Sequence, residues 1–248
     1  YTDLAVLSTD APQNEYKPIE IASSSTLGVG DPVIAVGTPY GLTGSMTTGI
    51  VSALGRIITE DLTGGYAIAD VIQTTTPLNP GNSGGPLLNY LGHVVGITTA
   101  IVSNSEGIGL AIPSNTILRE ISSLVTKGSY NQHPWLGAAG TDMTYAIAQA
   151  MNTNVTYGWL ITQISAGGPA DNANLQAGNE QALVAGEQVI IGGDIVTAIN
   201  QTRITNFADL STYLEEHALP QQTINLTIVR NSQTMTVAVK LAPRPASS

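Results

Sequence analysis

The sequence lacks cysteine altogether, since none of its 248 residues carries a thiol. Thiol catalysis, thiolate metal centres and disulfide bonds are therefore excluded. The absence leaves the cellular compartment open, because proteins without cysteine are compatible with both oxidising and reducing surroundings.

Long hydrophobic runs are also absent. No apolar stretch approaches the roughly 18 residues that a membrane-spanning helix needs. The apolar stretches that do occur, such as 33–37 and 94–98, are short, interrupted by glycine and rich in β-branched residues. This pattern predicts a soluble, mainly β protein. No signal peptide opens the chain, and we expect the beginning of the precursor to lie upstream of Tyr1.

Charged residues are scarce. Asp, Glu, Lys and Arg make up 10% of the chain, against about 25% in a typical soluble protein. Eight basic and 18 acidic residues give a formal net charge of −10. So few cations argue against a role in binding nucleic acids, because a phosphate backbone would not be neutralised. A surface that is rich in hydroxyls and amides is consistent with an extracytoplasmic setting.

Short apolar runs separated by glycine and proline fill the first part of the chain. This spacing predicts an antiparallel barrel or sandwich, with strands in the runs 4–7, 19–21, 32–37, 47–54, 71–74, 86–88, 94–99 and 108–112. A helix follows, with Ser114 as its N-cap, apolar residues at Ile117, Ile121 and Leu124, and a stop at Gly128.

A second unit begins after a polar, glycine- and proline-containing stretch. We predict a first domain over 1–126, a linker over 127–134, a second domain over 135–243 and a tail over 244–248. The second domain contains a helix with Asn206 as N-cap and Asp209 three residues on. Its last two strands are predicted at 223–229 and 234–241.

The glycine-rich segment 81–86, Gly-Asn-Ser-Gly-Gly-Pro, is the strongest chemical signal. A nucleophilic serine needs an exposed hydroxyl on a tight turn, with backbone N–H groups that converge on a developing oxyanion. Taken alone, the segment could equally be a plain glycine-rich hairpin. Pro86 and the strand-like Leu87-Leu88 argue against an α/β-hydrolase, in which a helix follows the serine.

The longer context resembles the HtrA/Deg family of chymotrypsin-like proteases. The matching segments are 28–41, 48–56, 73–87, 96–101 and 107–113, and together they cover most of residues 3–126. The resemblance implies a mainly β fold. It consists of a chymotrypsin-like double β-barrel, whose first barrel is incomplete in this chain, and a C-terminal PDZ domain of the α+β class.

The same resemblance implies a catalytic pair. Ser83 matches the nucleophile, and Asp3, in Asp-Leu-Ala-Val-Leu, matches the aspartate that orients the base. Asp3 taken alone would be an ordinary carboxylate at a strand edge. The base should precede Asp3, whereas His93, His133 and His217 all follow Ser83. We therefore expect the histidine to be missing from this chain, and the 248 residues alone to be inactive.

Further site residues follow from the resemblance. Backbone N–H groups of Gly81, Asn82 and Ser83 would form the oxyanion hole. The loop 60–67 corresponds to the family's sensor loop, and Thr75 stands where relatives commonly carry aspartate. The substrate pocket, expected to accept small or branched apolar side chains, would be bounded by Leu78, Thr98, Thr99, Ala100 and Ile101.

Residues 135–243 resemble the circularly permuted PDZ domains of HtrA proteins. In that family an aromatic-apolar-Gly-apolar loop captures a peptide's C-terminal carboxylate, and the peptide adds a strand to the sheet. The residues expected to bind the peptide are Trp135, Leu136, Gly137 and Ala138 in this loop and Phe207, Leu210 and Leu214 on the helix. Trp135 has an alternative interpretation as an interdomain packing residue.

The resemblance implies an ATP-independent serine endopeptidase that degrades unfolded or damaged proteins as part of protein quality control. It implies neither a metal nor an organic cofactor, and no nucleic-acid partner. A homo-oligomer based on trimers, and a membrane anchor in an upstream segment, would accompany the full-length protein. The alternative is a chaperone-like or pseudoprotease protein that binds peptides without turnover. Glycoside hydrolysis has no supporting pair of carboxylates.

Overall fold

The computed structural model describes residues 2–41, 44–59, 67–101 and 107–245. For residues 59, 100 and 101 it describes the backbone alone. The chain divides into two compact units, one ending at Tyr130 and one beginning at Asn131. The division falls inside the predicted linker.

The first unit contains a closed, antiparallel six-stranded barrel. Neighbouring strands follow the order β1-β2-β3-β6-β5-β4 around it. The strands are β1 (Pro32–Gly37), β2 (Ser45–Thr59), β3 (Ala67–Thr74), β4 (Pro86–Asn89), β5 (Val94–Ile101) and β6 (Gly109–Pro113). Because successive side chains of a strand point to opposite faces, alternate residues fill the interior, including Val33 and Ala35, each 1% exposed.

The segment that precedes the barrel forms no strand between residues 2 and 31. The prediction of a strand at 4–7 is wrong, since this stretch has no β partner among the described residues. Only two 3₁₀ turns, Gln13–Glu15 and Ser24–Thr26, and a parallel bridge between Ile21 and Val94 interrupt it. Leu7 is 90% exposed, as expected for an apolar side chain without a covering layer.

Helix α1 (Ser114–Lys127) follows the barrel. Its N-cap is Pro113 and not Ser114, because the Ser114 hydroxyl donates instead to the carbonyl of Ala22 at 2.6 Å. Gly128 ends the helix in the left-handed conformation, as predicted. Among the described residues, no helix is long and apolar enough to cross a bilayer.

The second unit is built on an antiparallel sheet in the order β15-β14-β12-β9-β8, with β13 beside β12. Its strands are β7 (Pro134–Trp135), β8 (Ala138–Asp142), β9 (Trp159–Ile164), β10 (Glu180–Val184), β11 (Glu187–Ile191), β12 (Ile195–Ile199), β13 (Thr202–Arg203), β14 (Thr223–Arg230), β15 (Gln233–Lys240) and β16 (Ala242–Pro243). β10 pairs with β11, and β7 with β16. The helices are α2 (Tyr145–Ala150), α3 (Pro169–Asn172) and α4 (Phe207–His217).

Helix α4 begins where the sequence predicts, because the Asn206 side chain accepts a hydrogen bond from the N–H of Asp209 at 2.9 Å. Its apolar side packs against the sheet in one buried cluster with β9, β12 and β14. β8 lies at the end of the strand order, so one of its edges has no partner among the described residues.

Candidate active site and peptide groove

The turn that carries Ser83 is fixed by backbone packing. Gly85 lies directly on β1, since a Cβ atom there would come within 2.1 Å of the carbonyl oxygen of Val36. Thr98 is 1% exposed, and its hydroxyl donates a hydrogen bond to the carbonyl of Asn82 at 2.5 Å. Its own carbonyl accepts from the N–H of Gly84 at 2.7 Å. These contacts present the Ser83 side chain at the surface.

Ser83 and Asp3 meet at one residue, Thr99. The Ser83 hydroxyl donates to the carbonyl of Thr99 at 2.6 Å. The hydroxyl of the same Thr99 donates to the carboxylate of Asp3. The two residues expected to form the catalytic pair are therefore brought together, although 80 positions separate them in the sequence.

Two of the three predicted oxyanion donors are available. Within the described residues the N–H groups of Gly81 and Ser83 donate no hydrogen bond. The N–H of Asn82 is used inside the turn, where it donates to the carbonyl of Asn79 at 2.9 Å. Asn82 is also 3% exposed. An oxyanion could therefore be bound by Gly81 and Ser83, while Asn82 maintains the turn.

Each of the three histidines lies beside an acidic residue of its own unit. In the first unit, His93 lies 3.5 Å from the carboxylate of Glu20. In the second unit, His133 is buried and lies 3.0 Å from Glu215, and His217 lies beside Glu216 at the end of α4. The described residues contain no group of three or more acidic or histidine side chains that could hold a metal ion.

The loop between β7 and β8 has the features of an anion site. Leu136 and Gly137 are both buried, yet their N–H groups donate no hydrogen bond among the described residues. The carbonyls of the same two residues are satisfied, by the N–H groups of Ala170 and Ser165 at 2.9 Å each. Buried donors without acceptors are costly, so a ligand that supplies an anionic oxygen would satisfy them.

The three residues of α4 that were expected to bind a peptide are placed differently from one another. Leu210 and Leu214 are 1% and 9% exposed and share one core cluster with Leu136. Phe207 stacks on Trp159 with ring centroids 5.6 Å apart, and its N–H donates to Asp142 at the end of β8. The helix is thus held beside the free edge of β8, while its leucines serve mainly as core.

Comparison with known proteins agrees with this architecture. Residues 1–97 match the family described as the trypsin-like peptidase domain, and residues 139–241 match the PDZ domain family. Curated relatives that align with nearly the whole chain are HtrA and Do-like proteases. The chain belongs to the HtrA/Deg family.

The HtrA relatives include the protein named Protease Do-like 1, chloroplastic, of Arabidopsis thaliana, which is 36% identical over 99% of this chain and 54% of its own length. The Serine protease Do-like HtrA of Lactococcus lactis is 34% identical over 98% of this chain and 59% of its own length. Among solved structures, the HtrA-type protease AlgW with tripeptide has a TM-score of 0.67 at 29% identity, covering 92% of this chain and 70% of that one. The chain thus spans about half the length of the curated HtrA relatives.

The residues expected from the sequence to bound a substrate pocket fall into three groups. Leu78 is half-buried and lies against Gly109. Thr98 and Thr99 are committed to hydrogen bonds with the serine turn and with Asp3. The side chains of Ala100 and Ile101 lie outside the described residues, as do residues 60–66 of the loop 60–67 that was expected to match the sensor loop.

The hydrogen bonds by which Thr98 and Thr99 hold the candidate site together were not predicted from the sequence. Both residues stand in an apolar β-strand pattern, in which a threonine is indistinguishable from any β-branched residue. The only available signal is the Gly-Ile-Thr-Thr segment itself, which places the two hydroxyls on opposite faces of β5.

Proposed function

We propose that this chain is the serine-bearing part of an endopeptidase that degrades unfolded or damaged proteins through an acyl-enzyme intermediate. The observation that carries the proposal is the convergence of the Ser83 hydroxyl and the Asp3 carboxylate on Thr99. The names of the relatives, which are serine proteases or endoproteases, support it.

In the proposed reaction, Ser83 Oγ attacks the scissile carbonyl carbon and its proton passes to a histidine that Asp3 orients. The developing negative charge is stabilised by the N–H groups of Gly81 and Ser83. The histidine then protonates the leaving amine, and water hydrolyses the acyl-enzyme. We assign the base to a residue outside these 248, because the three histidines of the chain have other partners.

We further propose that the PDZ unit binds C-terminal carboxylates of substrates. Two observations on the described residues support this: the N–H groups of the buried residues Leu136 and Gly137 have no acceptor, and one edge of β8 has no partner strand. The half-buried Leu78 supports a primary pocket for small or branched apolar side chains. An extracytoplasmic location is supported by the relatives named periplasmic. Trimer-based assembly and anchoring of the full-length protein remain proposals from the family resemblance.

The test compares Ser83→Ala with Ser122→Ala, a control on the exposed face of α1. In the full-length protein that carries the histidine, we expect Ser83→Ala to lower casein cleavage by about 10⁴-fold or more, while Ser122→Ala cleaves normally. The 248-residue chain alone should not react with a fluorophosphonate probe, because an unactivated serine is a weak nucleophile.

Three outcomes would contradict the proposal or one of its assignments. Full cleavage by Ser83→Ala would place the nucleophile elsewhere. If wild-type full-length protein binds casein and suppresses its aggregation without cleaving it, the chaperone-like alternative is correct. Rapid probe labelling of the 248-residue chain would assign the base to one of its own histidines.

A further inference from the structure

A buried carboxylate on α1 has no part in the proposed chemistry, yet it contacts the segment that carries Asp3. Glu120 is 1% exposed. It accepts a hydrogen bond from the hydroxyl of Thr2 at 2.6 Å and a second from Arg119 at 3.1 Å. A hydrogen bond to a buried charged group contributes more than one between neutral groups.

The residue that follows Thr2 needs such an anchor. Asp3 has a φ of 54°, in the left-handed region that side-chain-bearing residues rarely adopt. Such a conformation persists only where the surroundings hold it. No backbone N–H of residues 2–7 donates to a described partner, so this segment is held by side chains.

Side-chain contacts of three successive described residues hold its beginning. Thr2 donates to Glu120, the Asp3 carboxylate accepts from Thr99, and Leu4 packs against a buried cluster that includes Ile112. The first contact holds the residue that precedes Asp3, and the second holds the Asp3 side chain itself. A continuous path therefore runs from Glu120 through Thr2, Asp3 and Thr99 to the Ser83 hydroxyl.

We propose that Glu120, acting through the Thr2 hydroxyl, is a positioning residue that sets the place of the Asp3 carboxylate for catalysis. The inference rests on the proposed protease function. Loss of the contact would let the unpaired segment 2–7 shift. Asp3 would then orient the histidine less well, which lowers kcat and leaves substrate affinity unchanged.

The test uses isosteric substitutions in the full-length protein. Thr2→Val removes only the hydroxyl, and we expect a fall in kcat of about tenfold with unchanged KM, from the loss of one hydrogen bond to a charged group. Thr2→Ser should restore most of kcat. Thr9→Val is the matched control, because Thr9 lies two residues beyond this segment and its hydroxyl, among the described residues, bonds to the Ala11 N–H and the Tyr16 hydroxyl.

A double-mutant cycle identifies Glu120 as the partner. Glu120→Leu should lower kcat as Thr2→Val does, and the double variant should lose no more than either single one. If Thr2→Val retains the kcat of Thr9→Val while Ser83→Ala abolishes cleavage, the positioning role is refuted and the protease function stands. If Ser83→Ala still cleaves, the protease function itself fails. Should Glu120→Leu not fold, the comparison of Thr2→Val with Thr2→Ser decides alone.

Discussion

Peptide amidation tests the carboxylate-binding loop most directly. A peptide that ends in an apolar residue with a free carboxylate would place an anionic oxygen at the N–H groups of Leu136 and Gly137. Amidation removes the negative charge and replaces one of the two carboxylate oxygens with an NH₂ group, so only a single, neutral carbonyl oxygen is left to accept from the N–H donors. The peptide strand beside β8 and the apolar side chain are unchanged, so the comparison isolates the charge.

The magnitude follows from the two buried donors. Loss of a charge-assisted hydrogen bond to such a donor costs about 2 kcal/mol, which corresponds to a roughly thirtyfold increase in Kd. Because both donors lie in residues that are buried, water restores little of this loss. The effect should therefore lie well above the scatter of a calorimetric titration.

Isothermal titration calorimetry of the 248-residue chain with the acid and amide forms of one peptide gives the two dissociation constants. Acetylation of the same peptide's N-terminus is the control and should leave Kd unchanged, because that end lies away from the loop. Equal Kd values for acid and amide would refute the assignment of residues 135–138 as a carboxylate site. They would leave Leu136 and Gly137 as unexplained buried donors.

Two further predictions concern the scaffold. In the second unit Asp194, which is 0% exposed, accepts two hydrogen bonds from Arg230 at 2.7 Å each. These bonds raise the pKa of Arg230. Because Arg230→Met leaves the buried carboxylate without its cation, it should lower the free energy of unfolding by about 3 kcal/mol in urea titrations. Since the raised pKa belongs to a cation, the contribution of Arg230 to stability is present through the neutral range and is lost only at strongly alkaline pH. An Arg230→Met variant as stable as wild type would contradict the argument that the buried carboxylate needs its cation. In the first unit, Gly81→Ala should lower the rate of cleavage by the full-length protein at least about a hundredfold. The reason is that φ of Gly81 is 102° and a Cβ atom there would lie 2.5 Å from the carbonyl oxygen of Thr38. Normal cleavage kinetics would show that the turn tolerates a side chain.

The sequence by itself determined the local features of this protein. The glycine-rich turn around Ser83 needs conformations that only glycine adopts easily, so segment 81–86 is recognisable without a structure. The N-cap at Asn206 and the left-handed Gly128 are equally local, because capping involves residues within one turn. Repeated short β-branched runs were sufficient to predict a mainly β fold.

Only the tertiary structure decided which groups meet and which donors remain available. The bonds from Thr99 to Asp3 and from Thr2 to Glu120 join residues 96 and 118 positions apart, and no periodicity encodes such a distance. The strand predicted at 4–7 failed because a strand also needs a partner, which an apolar pattern does not supply. The N–H of Asn82 is used within its own turn, and Leu210 is buried in the core, for the same physical reason. Packing assigns each backbone N–H and each side chain one partner among several that the sequence leaves open.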